Sequence, residues 1–324
     1  MTKISELTSI VTAAATDIIA VVQDGVTKQV TVQDYIDEGV LAAPGGGSPG
    51  LSDYSDVVVV DAGGNGDYAT LREAAAAAPD NSLIMVMGNT VETDDIVFSQ
   101  NVHVFGFGKN ILQSQPRVVL PVNKIVQLAS GGKTVSMSNI SIYQTQTSSI
   151  PFSLGSTASL QLYNCAINAD IAISSYGNLS AHRSQLRNIT VNGSSGPGIG
   201  AQCHLFDGSQ ALALTFIDGY LIEIVRSKLN VSSGAALTIP HNKIYKILYS
   251  EIISSAVGIL VTGGAPTLTW PNAGMIHSHI QGGINAIESP STWSNAPIYQ
   301  CTLRGALVNA TPAPGTPAGT NVII

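Results

Sequence analysis

Seven short stretches decide the fold: Tyr163-Asn164-Cys165-Ala166-Ile167, His182-Arg183-Ser184-Gln185-Leu186, Phe206-Asp207-Gly208-Ser209, Val225-Arg226-Ser227-Lys228-Leu229, Leu248-Tyr249-Ser250-Glu251-Ile252, Ile276-His277-Ser278-His279-Ile280 and Tyr299-Gln300-Cys301-Thr302-Leu303. Aligned on the small residue at 165, 184, 208, 227, 250, 278 and 301, they recur at intervals of 19, 24, 19, 23, 28 and 23 residues. An earlier copy, Ser138-Asn139-Ile140-Ser141-Ile142, aligns Asn139 with Asn164. A strand-like unit returning at this spacing is the mark of a solenoid. Val, Ile, Leu, Thr and Tyr dominate with period two, and no helical stripe runs through the region. The expected fold is all-β: a right-handed parallel β-helix with one coil per repeat. The regular leucine frame of a leucine-rich repeat is missing.

Coils stacked in register bring equivalent residues about 4.8 Å apart, with side chains alternating in and out. The small column and the column two residues later (Ile167, Leu186, Leu229, Ile252, Ile280, Leu303) are expected to point inward. The columns flanking the small residue then point outward. One reads Asn164, Arg183, Asp207, Arg226, Tyr249, His277, Gln300, with a sign-alternating Arg183–Asp207–Arg226 ladder. The other reads Ala166, Gln185, Ser209, Lys228, Glu251, His279, Thr302, and sets Lys228, Glu251 and His279 side by side. Two apolar columns run consecutively before these, one through Leu162 and one through Tyr163. Strict alternation cannot bury both, so either a corner separates them or one forms an outer apolar stripe. Such a stripe is an interface, and threefold self-association along it is the preferred reading.

Composition points the same way. Among 324 residues 44% are apolar and only 11% charged, against about 25% charged in an average domain. Ser, Thr, Asn, Gln and Gly must cover the surface, as in a tightly packed oligomer outside the cell or on a particle. With net charge −7 and no Lys/Arg cluster, nucleic acid is not an expected partner. Cys165 and Cys301 fall in the inward column, and the three cysteines form no disulfide framework. Met1-Thr2-Lys3-Ile4-Ser5-Glu6 lacks a signal-peptide pattern, and no apolar run has membrane-spanning length. An exterior-style surface without an export signal is expected of a protein that leaves the cell by lysis, as virion components do, without membrane insertion.

Residues 1–40 read as a separate unit. The strand around Ile18, Ile19, Val21 and Val22 meets the turn dipeptide Asp24-Gly25, and Val26, Val30 and Val32 line the returning strand. A lone hairpin is not stable in water and must pack on a partner. The segment MTKISELT…ATDIIAVVQDGVTKQVTVQDYI resembles the N-terminal particle-attachment segment of tailed-bacteriophage fibres and tailspikes. The resemblance implies docking on a virion protein, at the tail adaptor or portal region or on the capsid. Residues 41–55 are a Gly/Pro/Ser-rich linker, not a phosphate cradle. The solenoid is expected over 56–310, with an extended tail over 311–324 whose Asn321-Val322-Ile323-Ile324 adds a last strand, to this chain or a neighbour.

Thr70-Leu71-Arg72-Glu73 is a capping box that opens a short helix, about 71–78, stopped by Pro79 and placed to cover the end of the β-helix. The stretch Asp61–Pro79, DAGGNGDYATLREAAAAAP, is similar to the start of pectin methylesterases and of many tailspike β-helices. The paired aspartates and arginine of the esterase site have no counterpart here, so the resemblance implies fold alone. The first coils are expected at Leu83–Met87, Ile96–Phe98, Val102–Phe107, Val118–Leu120 and Ile125–Leu128, with Gly88, Gly106 and Gly108 at corners.

Chemistry is sparse. His277 and His279 share a strand face without a third metal ligand, and neither a metal nor a cofactor is expected. A Ser-rich chain leaves a Ser-His-Asp arrangement open, but no nucleophile elbow is present. Polysaccharide cleavage by a glycosidase or lyase would need a carboxylate pair; Glu223 and Glu251, on adjacent coils in different columns, are the weak candidates. Trp270 and Trp293, in loops of the longer repeats, are candidates to stack on a sugar or to fill a subunit interface. Together these features read as a homotrimeric short tailspike or tail fibre that meets host surface polysaccharide. The absence of a large C-terminal trimerisation domain after the solenoid favours the alternative of a capsid decoration protein. A surface-polysaccharide depolymerase is the third reading.

Overall fold

In a computed structural model the chain is a parallel β-helix with one short helix. The structure describes residues 18–23, 26–31, 54–107, 115–144, 152–312 and 322–323, apart from 156, 175, 194, 197–198, 242 and 264–272. Strands Ile18–Gln23 and Val26–Thr31 form their own antiparallel sheet, with Ile18 opposite Thr31 and Gln23 opposite Val26. Ile18, Ile19, Val21, Val22, Val26 and Val30 thus lie on its two strands; Val32 lies outside the described residues.

The solenoid has three faces. The first is an eleven-stranded parallel sheet from Val57–Val60 to Ile298–Tyr299. The second begins at Thr90–Val91 and the third at Ile96–Phe98. In the C-terminal coils these two merge, because His279–Ala296 and Thr302–Pro312 each run through the corner and serve both. Val322–Ile323 pairs in parallel with Thr302 and Leu303, so the last strand is added to this chain's own stack. The early strands fall at Ser82–Val86, Ile96–Phe98, Val102–Gly106, Arg117–Leu120 and Val126–Leu128.

Alternation puts one apolar row per strand inside. Leu160 and Leu162, Leu179 and Ala181, Cys203 and Leu205, Ile222 and Ile224, Tyr245 and Ile247 are all buried from the first face. From the second face come Ile167, Leu186, Ala211, Leu229, Ile252, Ile280 and Leu303. Ala211 fills the coil where the quoted repeats left a gap. All three cysteines are free and buried, and burial pushes the Cys165 thiol up to about 12.

The N-terminal helix spans Leu71–Ala77 and buries Leu71, Ala74 and Ala75 in the common core. Only half of the expected capping box forms. Thr70 Oγ1 accepts the Glu73 amide at 3.2 Å, while Glu73 Oε1 lies 3.8 Å from Arg72 Nη2. The remaining amides of the first turn go elsewhere: buried Glu92 accepts from Leu71 N at 3.0 Å and Arg72 N at 3.1 Å, and from the Thr90 hydroxyl at 3.0 Å. A carboxylate on the second face thereby holds the cap onto the coil below it.

Gly106 ends a first-face strand where a Cβ would stand 2.1 Å from the Asn139 carbonyl oxygen. Gly88 has open space around it, and Gly108 lies outside the described residues.

Candidate functional site

The corner between the first and second faces is built the same way in coil after coil. Asn139, Asn164, Arg183, Asp207, Arg226, Tyr249, His277 and Gln300 all have φ between 49° and 54°. This left-handed conformation suits Asn and Asp; for Arg, Tyr, His and Gln it costs about 1 kcal/mol or more each. It turns the chain sharply while each corner amide still reaches a carbonyl of the next coil, as Asn164 N does to His182 O at 3.0 Å and Tyr249 N to Ile276 O at 3.0 Å.

After Asp207 the Gly208 amide still reaches Arg226 O at 2.7 Å, but at four other corners the following amide has no backbone partner in the neighbouring coil. A buried hydroxyl replaces it. Cys165 N donates to Ser184 Oγ at 3.1 Å, Ser184 N to Ser209 Oγ, Ser227 N to Ser250 Oγ and Ser250 N to Ser278 Oγ, each at 3.2 Å. The hydroxyls in turn donate to strand carbonyls, Ser250 to Leu248 O at 2.8 Å and Ser278 to Ile276 O at 2.9 Å. Burial of polar groups is tolerated here because both hydrogen-bonding roles are filled.

Two alignments need correction. The small column continues through Ser209, not Gly208: Asp207 (φ 53°) and Gly208 (φ 90°) are both left-handed, and the corner holds one extra residue. Gln210, not Ser209, therefore pairs with Gln185 and Lys228 on the second face. The expected charge ladder forms on one side only: Arg226 Nη2 lies 2.6 Å from Asp207 Oδ1, while Arg183 has no ion-pair partner among the described residues.

The corner falls one residue after the two consecutive apolar columns, not between them. Leu162 and its equivalents are buried, and the Tyr163 column points outward. This column carries Tyr163, His182, Phe206, Val225, Leu248, Ile276 and Tyr299. It is an apolar stripe along the edge of the first face, and half-buried from Tyr163 to Leu248. Tyr163 and His182 stack at 5.0 Å and 11°, and Phe206 tilts against His182 at 5.1 Å.

Beside the stripe stands the ridge of strained corner residues. Tyr249 is 60% exposed and stacks on His277 at 5.1 Å and 9°. Below it lies a shallow depression of about 250 Å³ bounded by Gly208, Ser209, Gln210, Arg226, Ser227, Lys228, Tyr249 and Glu251. Lys228, Glu251 and His279 are laterally paired as the spacing predicts. Lys228 Nζ sits 2.8 Å from Glu251 Oε2 and, by its hydrogen bond, holds that carboxyl below the usual range.

Glu223 lies on the first face, across the ridge from Glu251. Its carboxylate meets His204 Nδ1 at 3.0 Å and Lys246 Nζ at 3.2 Å. Each candidate carboxylate is thus matched to its own lysine on its own face. Trp270 lies outside the described residues; Trp293 lies on His279–Ala296, opposite Ala310, with its side chain outside them. No group of three or more His, Cys, Asp or Glu able to hold a metal occurs among the described residues.

No protein-family model matches the chain, and no curated protein matches it. Among solved structures it is similar to tailspike protein 3 of bacteriophage CBA120, at 12% identity and a TM-score of 0.41, over 93% of this chain and 63% of that one. The chain therefore spans less than two thirds of that protein's length.

Proposed function

We propose that the chain is a virion structural protein of a tailed bacteriophage, a short tailspike or tail fibre. In this reading residues 1–40 attach it to the particle and the β-helix meets host surface glycan. The observation that carries the reading is the ridge: exposed Arg226, Tyr249 and His277 hold a costly left-handed backbone. Backbone strain at exposed, chemically rich side chains is a signature of binding sites. A flat ring pair, Tyr249 on His277, above a depression lined with Gln210, Arg226, Lys228 and Glu251, offers a sugar both a stacking face and polar partners.

Three copies packed along the Val225–Leu248 stretch of the outward column, which leaves His182 open, would bring three such ridges together. Weak sites then act in concert, and avidity exceeds the single-site affinity by orders of magnitude. Val225 and Leu248 support trimerisation because these half-buried apolar side chains face water otherwise. The same stripe also suits the second reading, a decoration protein that locks a capsid.

The test is binding of the purified full-length protein to host cells and to their extracted surface polysaccharide. Adhesion predicts saturable binding that drops at least about tenfold in Tyr249→Ala and persists when residues 1–40 are deleted. Binding indifferent to Tyr249 removes the ridge from the mechanism. Particles that lose heat resistance without the protein, while still adsorbing, mark it as a decoration protein.

A further inference from the structure

We propose that Ser180, His182 and Asp207 form a serine-hydrolase site on the outer surface of the first face, acting on esters of small acyl groups. Ser180 and His182 are two residues apart on strand Asn178–His182, so both side chains project outward. Ser180 Oγ lies 3.3 Å from His182 Nε2. Asp207 Oδ2, contributed by the following coil, lies 3.6 Å from His182 Nδ1. The other oxygen of that carboxylate is 2.6 Å from Arg226 Nη2, which anchors it. Nucleophile, base and orienting acid stand in the order that serine hydrolysis requires, at the loose spacing usual before substrate binds.

The imidazole is held for this role. Tyr163 stacks on one side of the ring and Phe206 covers the other. Partial burial depresses its proton affinity, while Asp207 works in the opposite direction. Arg183, next in the chain, is exposed and has no ion-pair partner among the described residues. Of the lysines and arginines it stands nearest Ser180 in sequence, and it is the one proposed to meet an oxyanion forming there. Two other imidazole clusters lack a nucleophile: His204 has Glu223 on one nitrogen and Gln202 on the other, and His279 faces Gln281. The hydroxyl at Ser180 is the distinguishing feature.

The reaction balances with water alone. Ser180 Oγ bonds to the ester carbonyl carbon and its proton passes to His182 Nε2. The carbon–alkoxy bond breaks, and the alkoxide leaves with that proton as an alcohol. Water then attacks the acyl-serine, gives a proton to Nε2, and the acid departs as Ser180 regains its hydrogen. Asp207, 3.6 Å from Nδ1, steadies the imidazolium electrostatically in both halves. An open sheet face offers no deep acyl pocket, so the acyl group is short, and an ester displayed on a polymer can reach it. This goes beyond adhesion, which needs no chemistry.

The experiment uses the full-length protein with p-nitrophenyl acetate and a fluorophosphonate probe. Expected are turnover of the ester and a single phosphonylated serine, identified as Ser180 by peptide mass. Ser180→Ala loses both, and His182→Gln and Asp207→Asn lower turnover at least ~100-fold, all with unchanged melting temperature. Ser180→Cys gives an independent readout: His182 accelerates its alkylation by iodoacetamide, and the double variant with His182→Gln loses that acceleration. Turnover equal in wild type and Ser180→Ala, or an unlabelled Ser180 with a cysteine at 180 indifferent to His182, overturns the proposal. Glycan binding is measured separately and is unaffected by Ser180→Ala in either case.

Discussion

The amide of Ser227 donates to the hydroxyl of Ser250 one coil on, at 3.2 Å, inside a corner that water does not reach. The same hydroxyl gives its proton to Leu248 O at 2.8 Å. A serine here substitutes for a missing backbone partner, which explains a polar residue in an inward column. Ser250→Ala leaves the Ser227 amide buried and unpaired and should cost about 1–3 kcal/mol. Thr302→Ala, half-buried on the outer side of the second face, should stay within about 0.5 kcal/mol. Thermal melts of the two variants check the contrast; equal melting would show the ladder to be dispensable.

Corner strain makes an opposite prediction. Arg183 adopts φ 49° where the earlier coils use Asn139 and Asn164. Arg183→Asn should raise stability by about 0.5–1 kcal/mol, since Asn enters the left-handed region more readily. Urea unfolding of this variant measures the gain. A loss would mean that the Arg183 side chain contributes more than its backbone costs.

Glycines separate by their surroundings. At Gly106 an added Cβ meets the Asn139 carbonyl at 2.1 Å, so backbone must move. Gly106→Ala should destabilise by about 1–3 kcal/mol. Gly88 meets nothing within 4 Å, and Gly88→Ala should be neutral or stabilising by up to about 1 kcal/mol. Comparing the two melting shifts tests the corner geometry directly.

Acid should weaken the N-terminal coils through one imidazole. His103 points outward from the first face between Leu83 and Ser136, and Tyr54 lies against it at 6.0 Å. Burial lowers its pKa from 6.5 to about 4. The unfolded chain binds this proton below pH 6.5 and the folded chain does not, so stability present above that pH is lost as pH falls toward 4. The full effect is roughly 3 kcal/mol, accumulating at about 1.4 kcal/mol per pH unit. Unfolding free energies between pH 7 and 4 should show this slope, and His103→Phe should flatten it.

Much of the architecture was legible in the residues. The period, the two inward columns, the early strands, the helix and its Thr70 cap follow from alternation and turn chemistry, which are local. The apolar stripe was legible too, but its place was not. Tyr163 looks as buried as Leu162 until the left-handed turn at Asn164 is known, and no rule predicts that conformation for Arg, Tyr or His. The slip at Gly208 has the same origin: a second left-handed residue adds one position to a single corner. Glu92 as the partner of the helix amides was missed because its hydrogen bonds span 21 and 20 residues.

Sequence alone determined that this chain is a stacked parallel solenoid, because side-chain alternation and the repeat interval depend only on neighbouring residues. It also determined which faces carry charge and that Lys228, Glu251 and His279 adjoin. Only the tertiary structure decided which groups meet across a corner. Ser180 and His182 share a strand, but Asp207 reaches them from the next coil through a turn whose backbone sets the direction of its carboxylate. Lateral register is read from spacing; the direction of a side chain at a strained turn is decided by φ, and the coils packed on either side hold that φ in place.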